Sequence, residues 1–172
     1  MLRAYKYQLV PNVKQSIDLN KTFGCVRYFW NQQVETFNSY NKDTNPNPTF
    51  KSSTELRHET PWMLEVSAAA IQQKEIDFKE FRSQHFSKTR KTKIGRPKFK
   101  TRNGDQAFRL PNRKFYIRDN KIWLERIGKI KIIMDRVIPE NSKLMSVTVS
   151  KDTTGKYFAS ILVDTIISHF EK

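Results

Sequence analysis

The sequence predicts an α+β fold: a small antiparallel β-barrel interrupted by an inserted block of helices. Three observations carry this expectation. The hydrophobic period is 2 over residues 2–9, becomes 3.6 through the next eighty or so residues, and returns to 2 after residue 104. A lone N-terminal strand is marginal by itself, so it must join the later sheet, which makes the helices between them an insertion. The junction is marked by the run KTRKTKIGRPKFKTR, Lys88–Arg102, basic throughout and free of acid. The chain therefore divides into a first barrel strand at 1–11, a helical domain at 12–87, a basic linker at 88–104, the remaining barrel strands at 105–165 and a tail at 166–172.

Taken in order, LRAYKYQL places Arg3, Tyr5, Tyr7 and Leu9 on one face and Leu2, Ala4 and Lys6 on the other. Pro11 stops this strand because it has no amide to offer a ladder. Asn12 followed by Gln15 is a helix start. Val13, Ile17, Asn20 and Phe23 then trace one helical face, and Val26, Phe29, Trp30, Phe37 and Tyr40 a second, so 13–40 is one or two helices, with Gly24 a close contact or a break. NKDTNPNPTF resists any regular element, since the residue before a proline is pushed out of the helical region. A short helix at Ser53–Arg57 and a Thr60-Pro61-Trp62 turn follow. Ser67 reads as the cap of a helix running to about Phe86, with Ala70, Ile71, Phe78 and Phe81 on its apolar stripe and Lys74, Lys79 and Arg82 on its borders and back. Strands are expected at Ala107–Leu110, Lys114–Arg118, Lys121–Glu125, Lys129–Met134, Leu144–Lys151 and Tyr157–Val163. Asp119-Asn120 and Thr154-Gly155 are hairpin turns, and Met145, Val147 and Val149 are expected to face inward against Ser146, Thr148 and Ser150.

Charge narrows the function. The chain carries a net +15 over 172 residues, with 32 Lys and Arg against 17 Asp and Glu. That is the footprint of a protein that follows a phosphate backbone. A membrane-surface role would need a basic amphipathic helix, and none is seen; nor does any apolar stretch approach the roughly 20 residues that span a bilayer. The N-terminus lacks the apolar core of a secretory signal, so a cytoplasmic protein is expected. Cys25 is alone, which leaves neither a disulfide framework nor a CxxC zinc site, and its apolar context reads as a buried thiol. His58, His85 and His169 lack metal-ligand spacing, and no cofactor is expected.

The basic linker should contact phosphates through Lys88, Arg90, Lys91, Lys93, Arg96, Lys98, Lys100 and Arg102, with the Gly95-Arg96-Pro97 turn and Phe99 directing them; the competing reading is a solvated linker. Lys21 and Arg27 are further candidates for backbone contact. Tyr28, Phe29, Trp30, Phe37 and Tyr40 could stack on bases, although aromatics at helical spacing are more often core.

Several segments in register resemble one family. AYKYQLVPNVKQ, NKTFGCVRYFWNQ, PWMLEVSAAAIQQ, FKEFR, GRPKFKTR, QAFRLPN and SVTVSKDTTGKYFASILVD are similar, in order and spacing, to the beginning of TnpB proteins, the RNA-guided nucleases of bacterial insertion sequences. The resemblance covers nearly the whole chain. It implies a wedge domain, an oligonucleotide-binding-like barrel, interrupted by a helical recognition domain, and an ancestry shared with type V CRISPR effectors. It also implies partners, a guide RNA and a target DNA; the chain reads as truncated, split or the product of a frameshifted gene, and in the split case a separate nuclease-domain chain is a further partner. The two domains would hold the RNA scaffold and the guide–target duplex and read a short DNA motif beside the target. The positions matching motif readers are Phe50, Ser53, Thr54, Ala68, Ala69, Gln72, Arg109 and Asn112, with ordinary core packing the alternative for Phe50 and Phe108. Family members continue into a RuvC nuclease with a zinc-binding insert, which this sequence does not contain. Asp152, Asp164 and Glu171 are not expected to form a metal site, so binding without catalysis is the expectation. The alternatives are a generic basic RNA-binding protein and an intact metal-dependent nuclease.

Overall fold

A computed structural model describes residues 1–165. β1 (Leu2–Val10) is followed by α1 (Val13–Asn38), α2 (Ser53–Glu59), a 3₁₀ turn at Pro61–Glu65 and α3 (Ala68–His85). The remaining strands are β2 (Gln106–Pro111), β3 (Phe115–Arg118), β4 (Lys121–Leu124), β5 (Gly128–Ile133), β6 (Ser142–Lys151) and β7 (Tyr157–Thr165). The sequence-predicted tail at 166–172, with His169 and Glu171, lies outside the described residues.

All seven strands form one antiparallel sheet in the order β2-β6-β7-β1-β5-β4-β3. The first strand of the chain is thus a central strand, paired from Leu2↔Asp164 to Leu9↔Tyr157 on one side and with β5 on the other. The two end strands, β2 and β3, are joined by residues 112–114 alone. A flat sheet would hold its edges about 29 Å apart at about 4.8 Å per strand, whereas that link spans at most about 14 Å. The sheet must therefore curl nearly closed on itself.

Its interior is filled by alternate residues: Tyr5, Tyr7 and Leu9, then Phe108, Leu110, Ile122, Leu124, Ile130, Ile132, Val147, Val149, Ile161 and Val163. The Tyr7 hydroxyl donates to the Arg136 carbonyl at 2.7 Å, which satisfies a polar group inside this core. The Asp119-Asn120 turn has both residues at positive φ, 52° and 55°, the mirror-image turn that matches strand twist. Met145 departs from expectation. A bulge between Leu144 and Ser146 shifts the register, so Leu144 packs on the core and Met145 faces outward.

α1 is one uninterrupted helix, opened by a capping box in which Asn12 Oδ1 accepts from the Gln15 amide and Gln15 Oε1 from the Asn12 amide. Gly24 is neither a break nor a close contact: an added Cβ would meet only an Arg27 guanidinium nitrogen at 3.8 Å. The buried stripe runs Leu19, Phe23, Val26, Phe29, Val34, Phe37. Val13 and Ile17, expected inward, are 80% and 51% exposed, and Tyr40, past the end of α1, is exposed as well. α3 buries Ala70, Ile71 and Phe78. Val34, Phe37 and Phe78 form a separate cluster with Trp30 and Phe50, so these aromatics of α1 are core, apart from Tyr40. Ser67 does not cap α3; its hydroxyl instead donates to Glu125 Oε1 at 2.7 Å and ties the helix to the barrel.

Candidate nucleic-acid interface

The basic segment forms no helix or strand, yet side chains of α1 and α3 bond several of its backbone groups. Trp30 Nε1 donates to the Lys98 carbonyl at 2.9 Å. The Asn31 amide brackets Lys100, donating to its carbonyl at 2.9 Å and accepting from its N–H at 2.8 Å. His85 Nδ1 lies 2.8 Å from the Ile94 carbonyl, and Pro97 is buried. The segment is thus a strap docked across α1 and the end of α3. Phe99 does not anchor it, being 55% exposed. Lys88, Arg90, Lys91, Lys93, Arg96, Lys98, Lys100 and Arg102 all project into solvent. None of the eight forms an ion pair among the described residues. Arg90 donates to Gln84 Oε1 at 3.2 Å, and Lys100 Nζ sits 4.6 Å over the Trp30 ring.

Beneath the strap, a cleft of ≈ 340 Å³ opens between the helices and the barrel, with Lys6, Arg27, Lys74, Lys100 and Lys151 in its lining. Arg27 is braced by Gln106 Oε1 at 2.8 Å, and Lys6 Nζ lies 4.7 Å over Phe158. Lys74 stands out. Its side chain is 12% exposed, and burial first, then the neighbouring Lys100, bring its pKa down to about 8. Of the cleft acids, Asp152 is engaged by its own hairpin, accepting from the Thr154 hydroxyl at 2.7 Å and the Thr154 and Lys156 amides at 3.0 Å. These bonds, that from the Thr154 hydroxyl foremost, hold its carboxyl below the usual range. With Asp105 its other acid, the cleft sets five cations against two carboxylates. The sequence reading set Lys74 on the helix border, although its spacing from Ile71 and Phe78 is that of the apolar stripe and signals burial.

Of the eight motif-matching residues, Ala68, Ala69 and Gln72 lie on α3, and Phe50, Ser53 and Arg109 contact that helix from other segments. The Ser53 amide donates to Glu75 Oε2 at 2.9 Å, which draws the start of α2 onto α3. Arg109 on β2 reaches Asp77 Oδ1 at 2.7 Å and Gln73 Oε1 at 3.1 Å. Thr54, Gln72 and Asn112 are exposed, Ala68 is half-buried, and Ser53 and Ala69 are closed to solvent. The Phe50 ring packs 5.9 Å from Phe78 beneath the Arg82 guanidinium, and Phe108 is fully buried in the barrel. Of the two outlying cations, Lys21 pairs with Glu65 at 3.2 Å and Arg27 faces the cleft.

Among the described residues no three His, Cys, Asp or Glu side chains gather as a metal-binding group. Asp164 accepts from the N-terminal amine at 2.9 Å. Cys25 is buried, and burial pushes its thiol up to about 11. No helix among the described residues is long and apolar enough to cross a membrane.

Comparison with known proteins gives two results. Residues 1–42 match the HTH_OrfB_IS605 family, described as a helix-turn-helix domain. Here that stretch holds one strand and the whole of a single 26-residue helix, with no turn between two helices. Over 96% of its length the chain is 29% identical to a candidate RNA-guided DNA endonuclease of Streptomyces pristinaespiralis. Over 97% it is 25% identical to the candidate RNA-guided DNA endonuclease InsQ of Escherichia coli strain K12. It spans 42% of each of these curated relatives. The N-terminal 42 residues are thus similar to the OrfB/IS605 helix-turn-helix family, and the chain is homologous over most of its length to candidate RNA-guided DNA endonucleases.

Proposed function

We propose that this chain is the nucleic-acid-binding portion of a TnpB-like RNA-guided protein. Residues 1–11 and 105–165 act as its wedge barrel and 12–87 as its recognition domain. The strap and the cleft beneath it hold the guide RNA scaffold and the guide–target duplex. The exposed start of α3, with Gln72 foremost, reads a short DNA motif beside the target. Base pairing supplies the rest of the specificity, and cleavage is assigned to the part of the relatives outside the aligned stretch.

The observation that supports this reading is the docked strap. A segment of eight cations repels itself, and a solvated linker would have no reason to fix its backbone on Trp30, Asn31 and His85. Fixing it holds the charges in a row at a defined place, as a phosphate backbone requires.

The test is the salt dependence of binding to structured RNA. Log affinity should fall linearly with log salt, each duplex phosphate neutralised adding about −0.9 to the slope. Replacing Lys91, Lys93 and Arg96 by Ala should flatten it by roughly two to three units. An unchanged slope would return the strap to the status of a solvated linker. The chain alone should show no Mg²⁺-dependent cleavage, and Asp152→Ala should bind nucleic acid as the parent does.

A further inference from the structure

The outer face of β3, β4 and β5 carries an arrangement that the fold does not need. Phe115, Ile122, Leu124, Ile130 and Ile132 point into the barrel, so the residues alternating with them point out. Strand register sets those in two rows. Tyr116 lies opposite Trp123, and Trp123 opposite Lys129; Arg118 lies opposite Lys121, and Lys121 opposite Lys131.

The second row therefore places three cations directly abreast. Like charges so placed disfavour strand pairing, and the single carboxylate nearby, Asp119, is itself 89% exposed and 3.7 Å from Arg118. The first row stacks the Tyr116 and Trp123 rings, centroids 5.1 Å apart and planes within 17°, with Tyr116 left 40% exposed. A hollow of ≈ 350 Å³ is lined by Tyr116, Trp123, Lys129, Arg118, Lys121 and Asp119. None of them lines the cleft under the strap. A partly wet aromatic pair beside a cation row with one exposed acid partner gains nothing from water, but it matches the chemistry of a nucleotide strand: a π-face for a base and cations for the phosphates on either side.

We propose that the outer face of β3–β5 is a second nucleic-acid site, one that takes unpaired nucleotides. A base stacks on Tyr116 and Trp123, and its flanking phosphates meet Arg118, Lys121, Lys129 and Lys131. A duplex does not use the platform, because its base faces are already closed by stacking. The site extends the reading above without depending on the strap.

Fluorescence anisotropy with oligo-U and oligo-dT of about ten nucleotides, and with a duplex, tests this on the whole chain. Tyr116→Ala should weaken single-strand binding roughly tenfold, from the loss of one base stack, and leave the duplex unaffected; Tyr116→Phe should bind as the parent does. Replacing Lys121, Lys129 and Lys131 by Gln should lower the single-strand salt slope by about two units. The same Tyr116 effect should persist in a chain whose Lys91, Lys93 and Arg96 are Ala, which separates this site from the strap. Oligo-U against oligo-dT tells whether RNA or DNA is preferred. The proposal is overturned if Tyr116→Ala and the Lys variant both keep parental single-strand binding, or if Tyr116→Ala weakens duplex equally. Should the Ala variant lose its circular dichroism spectrum, the all-exposed Lys variant decides alone.

Discussion

Lys74 gives the sharpest test of the cleft. Its pKa falls from 10.5 to about 8, chiefly through burial and then through Lys100. That difference, at about 1.4 kcal/mol per unit, places roughly 3 kcal/mol against folding with the amine charged, as an upper bound. The unfolded chain holds this proton up to about pH 10.5, the folded chain only up to about 8. In that window the unfolded state binds more protons, so stability rises with pH. The penalty is complete below about pH 8 and gone by about 10.5. Lys74→Met keeps the length and apolar contact of the stem while deleting the charge. It does not strand Asp77, which retains Arg109 at 2.7 Å and loses only a 3.8 Å pair. We expect the Met variant to be more stable by about 1–3 kcal/mol near neutral pH, with about 2–4 °C in Tm for each kcal/mol in a chain of this size. The advantage should shrink steadily between about pH 8 and 10.5 as the parent sheds its proton. Urea and thermal unfolding of both proteins across that range give the difference directly, and titrations common to both cancel. Under the proposed function, RNA affinity should fall in the same variant, because the cleft loses the one cation held at a cost to stability. A Met variant no more stable at neutral pH, or a gap indifferent to pH, would refute the reasoning.

Phe78→Ala should destabilise the fold by about 3–5 kcal/mol, since Phe78 is 2% exposed and its ring is 5.0 Å from Trp30; Gln72→Ala, at an exposed position of the same helix, should leave thermal unfolding unchanged. Under the proposed function, Gln72→Ala should reduce binding of the preferred flanking motif by about 1–3 kcal/mol and of other sequences far less, read by DNA binding in the presence of guide RNA. Glu75 is a carboxylate whose burial raises its pKa, but bonds from Ser53 and Lys79 outweigh that and hold it below the usual range. Glu75→Gln should therefore be less stable by about 1–3 kcal/mol at neutral pH, and acid titration of unfolding should show the gap closing as pH falls below about 4.3 through the depressed value. Cys25, with its thiol at about 11 and 2% exposed, should resist thiol reagents at about pH 8 in native protein and react once unfolded.

The strands were legible from the sequence because alternation is a local consequence of which face meets the core. Each expected strand lies within two residues of the observed one, and the Asn12 cap and the Asp119-Asn120 turn needed only neighbours a few residues away. Register was not local. Nothing in residues 144–146 announces the bulge that turns Met145 outward, since it arises in pairing with β7. Ser67 looks like a cap, but its partner Glu125 comes from a barrel turn that sequence spacing cannot place. Thr22 and Gln33 are buried polar residues because their bonds are satisfied, by Asp18 O at 2.8 Å and by the distant Lys51 O at 2.9 Å.

The same division holds for the candidate site. Charge and the run Lys88–Arg102 were enough to expect phosphate contact, since net charge needs no coordinates. That the run is a docked strap depends on Trp30 and Asn31, some seventy residues earlier, and only folding brings them to the carbonyls of Lys98 and Lys100. Lys6, Lys74 and Lys151, scattered over the sequence, become one cationic cleft for the same reason. Local pattern was enough to expect the elements, and composition to expect an anionic partner. Where the charges meet and which of them are desolvated emerged only on folding, because burial and long-range hydrogen bonds belong to the assembled chain and to no segment of it.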